Sequence, residues 1–246
     1  MRFTPFSLVF ADMARERFPA VASALQQDNA PPADRDRFVL IEPVARMLRE
    51  IVPESGGGAE ALEAHLLLLH HAYLHWASGG WVYSVGEATL RRAMAEGPIT
   101  SQTPHPALYL QLPELRVWGR PSPDATPEPL DGMFVSETTT AGSIALLAVF
   151  GMRPDRPGFS AVGLDGRADA DDATPSEIEV AAAREDGSAP FGPMLAGGSA
   201  AGLHSVANAG ELLLLTCRIL AQLPPGTDAA DTGLDSGALE RVVQVE

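Results

Sequence analysis

The spacing of the histidines is the feature of this sequence that most directly indicates chemistry. Four of the six histidines fall within eleven residues, at His65, His70, His71 and His75. The last two are four residues apart, so on a helix they lie one turn apart and about 40° apart around the axis. Two imidazoles in that arrangement can bind one zinc ion or another divalent metal. With His65 and His105 as further ligands, the spacing supports the hypothesis of a metal-dependent hydrolase.

Two features of the same segment favour a structural role for these histidines. The stretch His71-Ala72-Tyr73-Leu74-His75 has no Glu after its first His, which departs from the zinc-protease pattern. Leucines 66–69 run around the whole helix, which indicates packing on more than one face. We therefore expect the histidines inside or at the border of the core, and we predict no cofactor. A histidine that acts as a general base without a metal is the remaining alternative.

A second candidate site lies on a predicted strand. In residues 107–112, leucines alternate with Tyr109 and Gln111, and alternation resumes in residues 115–118. The face opposite the leucines carries Tyr109, Gln111, Arg116 and Trp118. If this face is open, the four side chains form a binding surface for a protein or a small molecule. If it is covered, the aromatic residues form the interface between helices and sheet.

Three further patterns are interpreted as structural. Ser199 and His204 lie near each other in a glycine-rich stretch, but the strand and helix that a nucleophile elbow requires are missing. The aspartates of residues 165–172 lack the ligand spacing of a calcium loop. Cys217 lies in an apolar run and is predicted to be a buried, unreactive thiol.

The elements that position these residues change in type along the chain. Residues 1–100 contain amphipathic helical segments, of which 59–77 is the strongest, and Pro19 predicts a break in the first. Residues 101–165 change to a period of two. They predict about five strands in an antiparallel meander, because no helix-length connection separates them.

The second half of the chain completes the predicted fold. Residues 166–207 form an acidic, glycine-rich loop region, and residues 208–246 contain a second apolar helix and a tail that is predicted as a strand. We therefore predict one α+β domain over residues 1–246. It has an N-terminal helical layer packed on a mainly antiparallel sheet of about five strands, with an additional C-terminal helix.

Charge excludes one class of partner. The chain has 17 arginines and no lysine, which is typical of a GC-rich bacterial genome. Residues 121–246 hold 6 Arg against 19 Asp and Glu, and the whole chain has a net charge of −15. An acidic surface repels phosphate backbones, so no nucleic-acid partner is expected. A protein partner that binds this surface would bind more strongly at low salt.

The same composition predicts a soluble, cytoplasmic protein. No stretch approaches the roughly 18 consecutive apolar residues that span a bilayer. The first residues lack the clean apolar core of a secretory signal, and a single cysteine fits a reducing compartment. We predict a non-enzymatic binding or protein-interaction domain for an unidentified protein or small-molecule ligand. The metal-dependent hydrolase is the alternative, and the oligomeric state is left open.

Overall fold

A computed structural model describes residue 4 and ten further segments of the chain. These segments are 10–27, 69–95, 97–119, 128–137, 142–150, 160–167, 179–182, 204–205, 209–226 and 239–246. His65, Ser199, most of the predicted loop region 166–207 and the first part of the predicted helix 59–77 lie outside the described residues.

The described residues form five helices and nine strands. The helices are α1 (Ala11–Glu16), α2 (Phe18–Gln27), α3 (residues 69–77), α4 (Glu87–Met94) and α5 (Ala209–Leu220). The strands are β1 (Trp81–Val85), β2 (Ala107–Gln111), β3 (Val117–Gly119), β4 (Glu128–Glu137), β5 (Ser143–Phe150), β6 (Ser160–Arg167), β7 (Glu179–Ala182), β8 (His204–Ser205) and β9 (Arg241–Val245). None of these helices is both long and apolar enough to span a bilayer.

The strands form one mixed sheet, and the chain has an α+β fold as predicted. The order across the sheet is β7-β6-β5-β4-β2-β1-β9, while β3 pairs with the start of β4 and β8 pairs with β3. Pairing is antiparallel from β7 to β2 and parallel from β2 through β1 to β9. The prediction of a mainly antiparallel sheet is therefore confirmed in part, because the side formed by β1 and β9 is parallel.

The parallel edge arises from a strand that the sequence analysis did not assign. Trp81–Val85 is a short run of aromatic and β-branched residues, which suits a strand. Parallel neighbours need a long crossover connection, and α4 with the residues after it supplies the one between β1 and β2. The predicted C-terminal strand is confirmed as β9, which pairs with β1 at all five positions.

The N-terminal helices cover one face of the sheet. Phe18 and Tyr73 from the helices pack with Val82, Tyr109 and Phe134 from the strands in one apolar cluster, which we call the first core. The helix break predicted at Pro19 occurs at Arg17 instead, since proline is accommodated in the first turn of α2.

Helices α4 and α5 cover the opposite face. Leu90 of α4 and Leu213 of α5 pack with Tyr83, Leu110 and Leu146 in a separate cluster, the second core. Cys217 belongs to the second core and is fully buried, and burial raises the pKa of its thiol to about 12. The prediction of a buried cysteine is confirmed. The sheet is thus covered by helices on both faces.

Strand β4 is long enough to pair with two strands along the same edge. Its second half pairs with β2, and its first two residues pair with β3. Gln111 of β2 pairs with Gly132, and Trp118 of β3 pairs with Pro129. Between these two pairs the chain advances by seven residues on the β2–β3 side but by only three on β4. Four residues are therefore looped out, and we call residues 113–116 the excursion.

Gly132 of β4 lies so close to β2 that a side chain does not fit there. A Cβ at this position would overlap the carbonyl oxygen of Leu110 and the hydroxyl of Tyr109, whereas a Cβ at Gly97 would meet nothing within 4 Å. We expect Gly132→Ala to lower the free energy of unfolding by about 1–3 kcal/mol, because neither the strand backbone nor the buried ring can move away easily. Denaturant unfolding of this variant beside Gly97→Ala measures the effect. Equal stability of the two variants would contradict the β2–β4 register.

Candidate functional site

The described histidines of α3 are part of the core. The exposed fractions are 6% for His70, 4% for His71 and 0% for His75. The His75 ring lies against Phe134, with centroids 5.6 Å apart, and its Nε2 is 3.0 Å from the carbonyl oxygen of Trp81. A carbonyl oxygen only accepts, so Nε2 carries the proton and donates it to this bond. That nitrogen is thereby used in joining α3 to the first residue of β1.

Burial decides the charge of His75. Removal from water disfavours the imidazolium and lowers the pKa of His75 from 6.5 to about 4, while the hydrogen bond to the Trp81 carbonyl partly opposes this effect. At neutral pH the side chain is uncharged. Its chemistry is that of a buried structural hydrogen-bond donor.

The structure places two of the predicted metal ligands, His75 and His105, beside different cores. His75 contacts Phe134 in the first core, whereas His105 stacks on Trp81, whose side chain belongs to the second core. The sheet therefore separates these two histidines, and His65 lies outside the described residues. Among the residues that the structure describes, no group of three or more His, Cys, Asp or Glu side chains could hold a metal ion.

The four predicted binding residues are divided between the interior and the surface. Tyr109 is 1% exposed and Gln111 is 6% exposed, and the Tyr109 ring packs on Phe134 at 4.9 Å. The strand face that carries Tyr109 is thus covered by the N-terminal helices and is not an open surface. Arg116 and Trp118 lie instead at the excursion, where both are partly exposed. A binding role for the four residues stays a prediction.

The excursion presents a leucine in an unusual backbone conformation. Leu115 has φ +57° and is 44% exposed, and among the described residues it is the only one besides glycine with positive φ. For an L-residue this left-handed conformation costs about 1–2 kcal/mol. Pro113-Glu114 predicts a turn here, but no sequence signal placed Leu115 in the left-handed region.

Three hydrogen-bonded contacts fix the shape of the excursion. The Arg116 amide donates to the Pro113 carbonyl at 3.3 Å, and the Trp118 indole N–H donates to the Leu115 carbonyl at 3.0 Å. The Arg116 guanidinium donates from Nε and Nη2 to Oε1 of Glu87, at 2.8 and 2.6 Å. This exposed ion pair adds little stability by itself, but it ties the excursion to α4.

A β-bulge lies opposite the start of the excursion. The register of β4 against β5 shifts between Leu130 and Gly132, so Asp131 is the extra residue. Asp131 is only 9% exposed, and its carbonyl accepts the amide of Leu112 at 2.9 Å. Bulges re-aim side chains and bend strands, and they are common next to functional sites. Sequence analysis missed Asp131, although an aspartate followed by glycine inside an apolar strand is a signal for a bulge.

Comparison with known proteins finds similarity to solved structures but not to a family. No family model matches the chain, and no curated protein matches it. Among solved structures, the chain is similar to the one described as the crystal structure of AcrVA2, with 15% identity and a TM-score of 0.37. The similarity covers 65% of this chain and 56% of that chain, so it spans little more than half of AcrVA2. A likeness of this degree assigns no function.

The buried His75 predicts a dependence of stability on pH. The unfolded histidine has a pKa near 6.5 and the folded one about 4, so acid favours the unfolded chain, and His75 costs about 2 kcal/mol of stability between pH 7 and pH 5. His75→Gln retains an N–H donor for the Trp81 carbonyl and removes the titration. Denaturant unfolding at both pH values should show a smaller loss for this variant than for the parent chain. An identical loss in both proteins would contradict the burial of His75.

Proposed function

We propose that this protein is a non-enzymatic binding domain that recognises another protein through the excursion. The observation that carries this proposal is the backbone of Leu115, which holds a large apolar side chain in solvent in a conformation that costs stability. Glycine would adopt the same turn without this cost. A strained and exposed leucine is expected where the side chain serves contact with a partner and not the fold.

The surroundings of Leu115 support its use as an anchor. Arg116 donates to Pro113 and Glu87, and Trp118 donates to Leu115. These hydrogen bonds fix the shape of the turn in the unbound protein. A preorganised anchor loses little conformational entropy on binding, and such residues dominate the energetics of interfaces. The complementary partner surface is an apolar pocket of leucine size.

Charge supports a basic partner. The chain has a net charge of −15, and Glu114 beside the anchor is exposed. Such a field accelerates association with a positively charged protein and is screened as salt rises. We expect affinity to fall with ionic strength, while the apolar contact of Leu115 contributes independently of salt.

Binding is favoured over metal-dependent hydrolysis as the function of this chain. The hydrolase hypothesis depends on His71 and His75, and one nitrogen of His75 donates to the Trp81 carbonyl. The neutral imidazole of His75 is also 0% exposed. In the excursion, by contrast, Glu114 and Leu115 are exposed and the turn is held by hydrogen bonds.

Site-specific photo-crosslinking tests the proposed surface. A photoreactive residue is placed at Glu114, which is exposed beside the anchor, or at Met94 on α4. Among the described residues, Met94 is the large apolar residue besides Leu115 that is exposed, at 37%. We expect discrete protein adducts in source cells from position 114 and none of the same mass from position 94. Adducts of equal yield from both positions, or none from position 114, would contradict the proposal.

Leu115→Gly separates binding from stability. The variant relieves the left-handed strain, so its free energy of unfolding should be unchanged or up to about 1 kcal/mol higher. The adduct from position 114 should be lost, because the anchor side chain is gone. Met94→Ala is the matched control and should leave the adduct in place. If Leu115→Gly is less stable than the parent chain, Leu115 is not strained. If the adduct is undiminished, the Leu115 side chain does not anchor the partner.

A further inference from the structure

A second cluster of chemically active side chains lies at the opposite end of the parallel strands. The imidazole of His105 stacks flat on the indole of Trp81, with centroids 4.1 Å apart and planes 5° apart. The guanidinium carbon of Arg241 lies 5.6 Å from the centroid of the same indole. Trp81 and Arg241 are the first residues of β1 and β9, and His105 lies two residues before the start of β2. We call these three side chains the Trp81 cluster.

Left-handed glycines bring Arg241 to this position. Gly79 has φ +98° and Gly80 has φ +69°, and a Cβ on Gly80 would overlap the carbonyl oxygen of Leu239. The Arg241 amide donates to the Gly80 carbonyl at 2.7 Å, and its Nη1 donates to the Gly79 carbonyl. Both ends of the arginine are therefore held by the turn between α3 and β1.

The backbone of His105 is equally constrained. Pro104 and Pro106 flank it, and each proline restricts the backbone around the histidine. Gly226 packs so closely that a Cβ there would overlap the carbonyl oxygen of Pro104. The ring of His105 is thus presented on the indole in a fixed orientation.

Two nitrogen atoms of the Trp81 cluster are buried without hydrogen bonds to the described residues. They are Nε2 of His105 and Nε of Arg241. Each such atom costs about 1–3 kcal/mol unless a partner satisfies it, and such groups in native proteins call for an explanation. The two side chains themselves are only partly buried, so the cluster lies at the border between the core and solvent.

The charge of the cluster is close to +1 at neutral pH. Burial and the positive charge of Arg241 lower the pKa of His105 below its ordinary value, so the imidazole is neutral. Arg241 is always charged. A single positive charge and a neutral imidazole on an aromatic wall match a singly charged, planar anion better than a phosphate dianion.

We propose that the Trp81 cluster binds the carboxylate group of a small molecule, with Arg241 as the cation and His105 as the second hydrogen-bonding group. A planar guanidinium matches the geometry of a carboxylate. The site is separate from the excursion, because His105 precedes β2 and the excursion follows it. It is therefore independent of the proposed protein contact.

Binding of a carboxylate is coupled to protonation of His105. A negative charge beside the imidazole favours the imidazolium, so a bound anion raises the pKa of His105. The reciprocal effect is that acetate binds more tightly as the pH falls towards 6.

Nuclear magnetic resonance of the full chain tests this site with acetate as the probe. We expect saturable shifts of the Trp81 indole N–H and the His105 ring protons, together with a higher pKa of His105 in saturating acetate. In Arg241→Met the saturable shifts should be lost. In His105→Phe, which retains an aromatic ring on the indole, acetate should bind several-fold more weakly.

Each contrary outcome overturns a defined part of the proposal. Shifts that do not saturate, or that persist in Arg241→Met, would show that no carboxylate site exists at Trp81. Tighter binding of inorganic phosphate than of acetate would overturn the choice of ligand. If Arg241→Met does not fold, His105→Phe alone decides the outcome, since unchanged acetate affinity in that variant would refute the role of His105.

Discussion

The fold depends on the pairing of β4 along both of its edges. Eight of its ten residues are buried, so its backbone groups must find partners inside the sheet. β5 supplies one edge, and β2 and β3 together supply the other. Because β2 and β3 approach β4 as one interrupted strand, the surplus residues 113–116 are displaced outwards. The exposed excursion is a direct consequence of the pairing of β4 with two strands along one edge.

Burial on both faces also determines what the histidines do. α3 lies against the first core, where an ionised imidazole would lack solvation, and His75 is neutral and bonded to the Trp81 carbonyl. His105 lies two residues before the start of β2 and is only partly buried. Two histidines of one sequence thus have different environments: His75 is fully buried in the core, and His105 is only partly buried at its border.

The sequence predicted the local elements better than their arrangement. Helix α5, strand β9 and the period-two strands follow from side-chain periodicity, which is a local property. The position of β1, which pairs in parallel with both β2 and β9, could not be predicted. Its pairing with β9 depends on contacts between residues about 160 positions apart. The burial of Tyr109 depends on which helices cover the sheet, and the left-handed Leu115 depends on the register of β4. Neither the burial of Tyr109 nor the conformation of Leu115 can be predicted from the residues next to it in sequence.

Metal content is the measurement that tests most directly whether this chain acts by binding and not by metal catalysis. The untagged protein, purified without chelator, is analysed by elemental mass spectrometry at known protein concentration. The account predicts no stoichiometric metal that depends on His71 and His75, because His75 Nε2 donates to the Trp81 carbonyl in the core. Zinc, manganese or iron near one equivalent, lost in a folded His71→Gln/His75→Gln double variant, would contradict it.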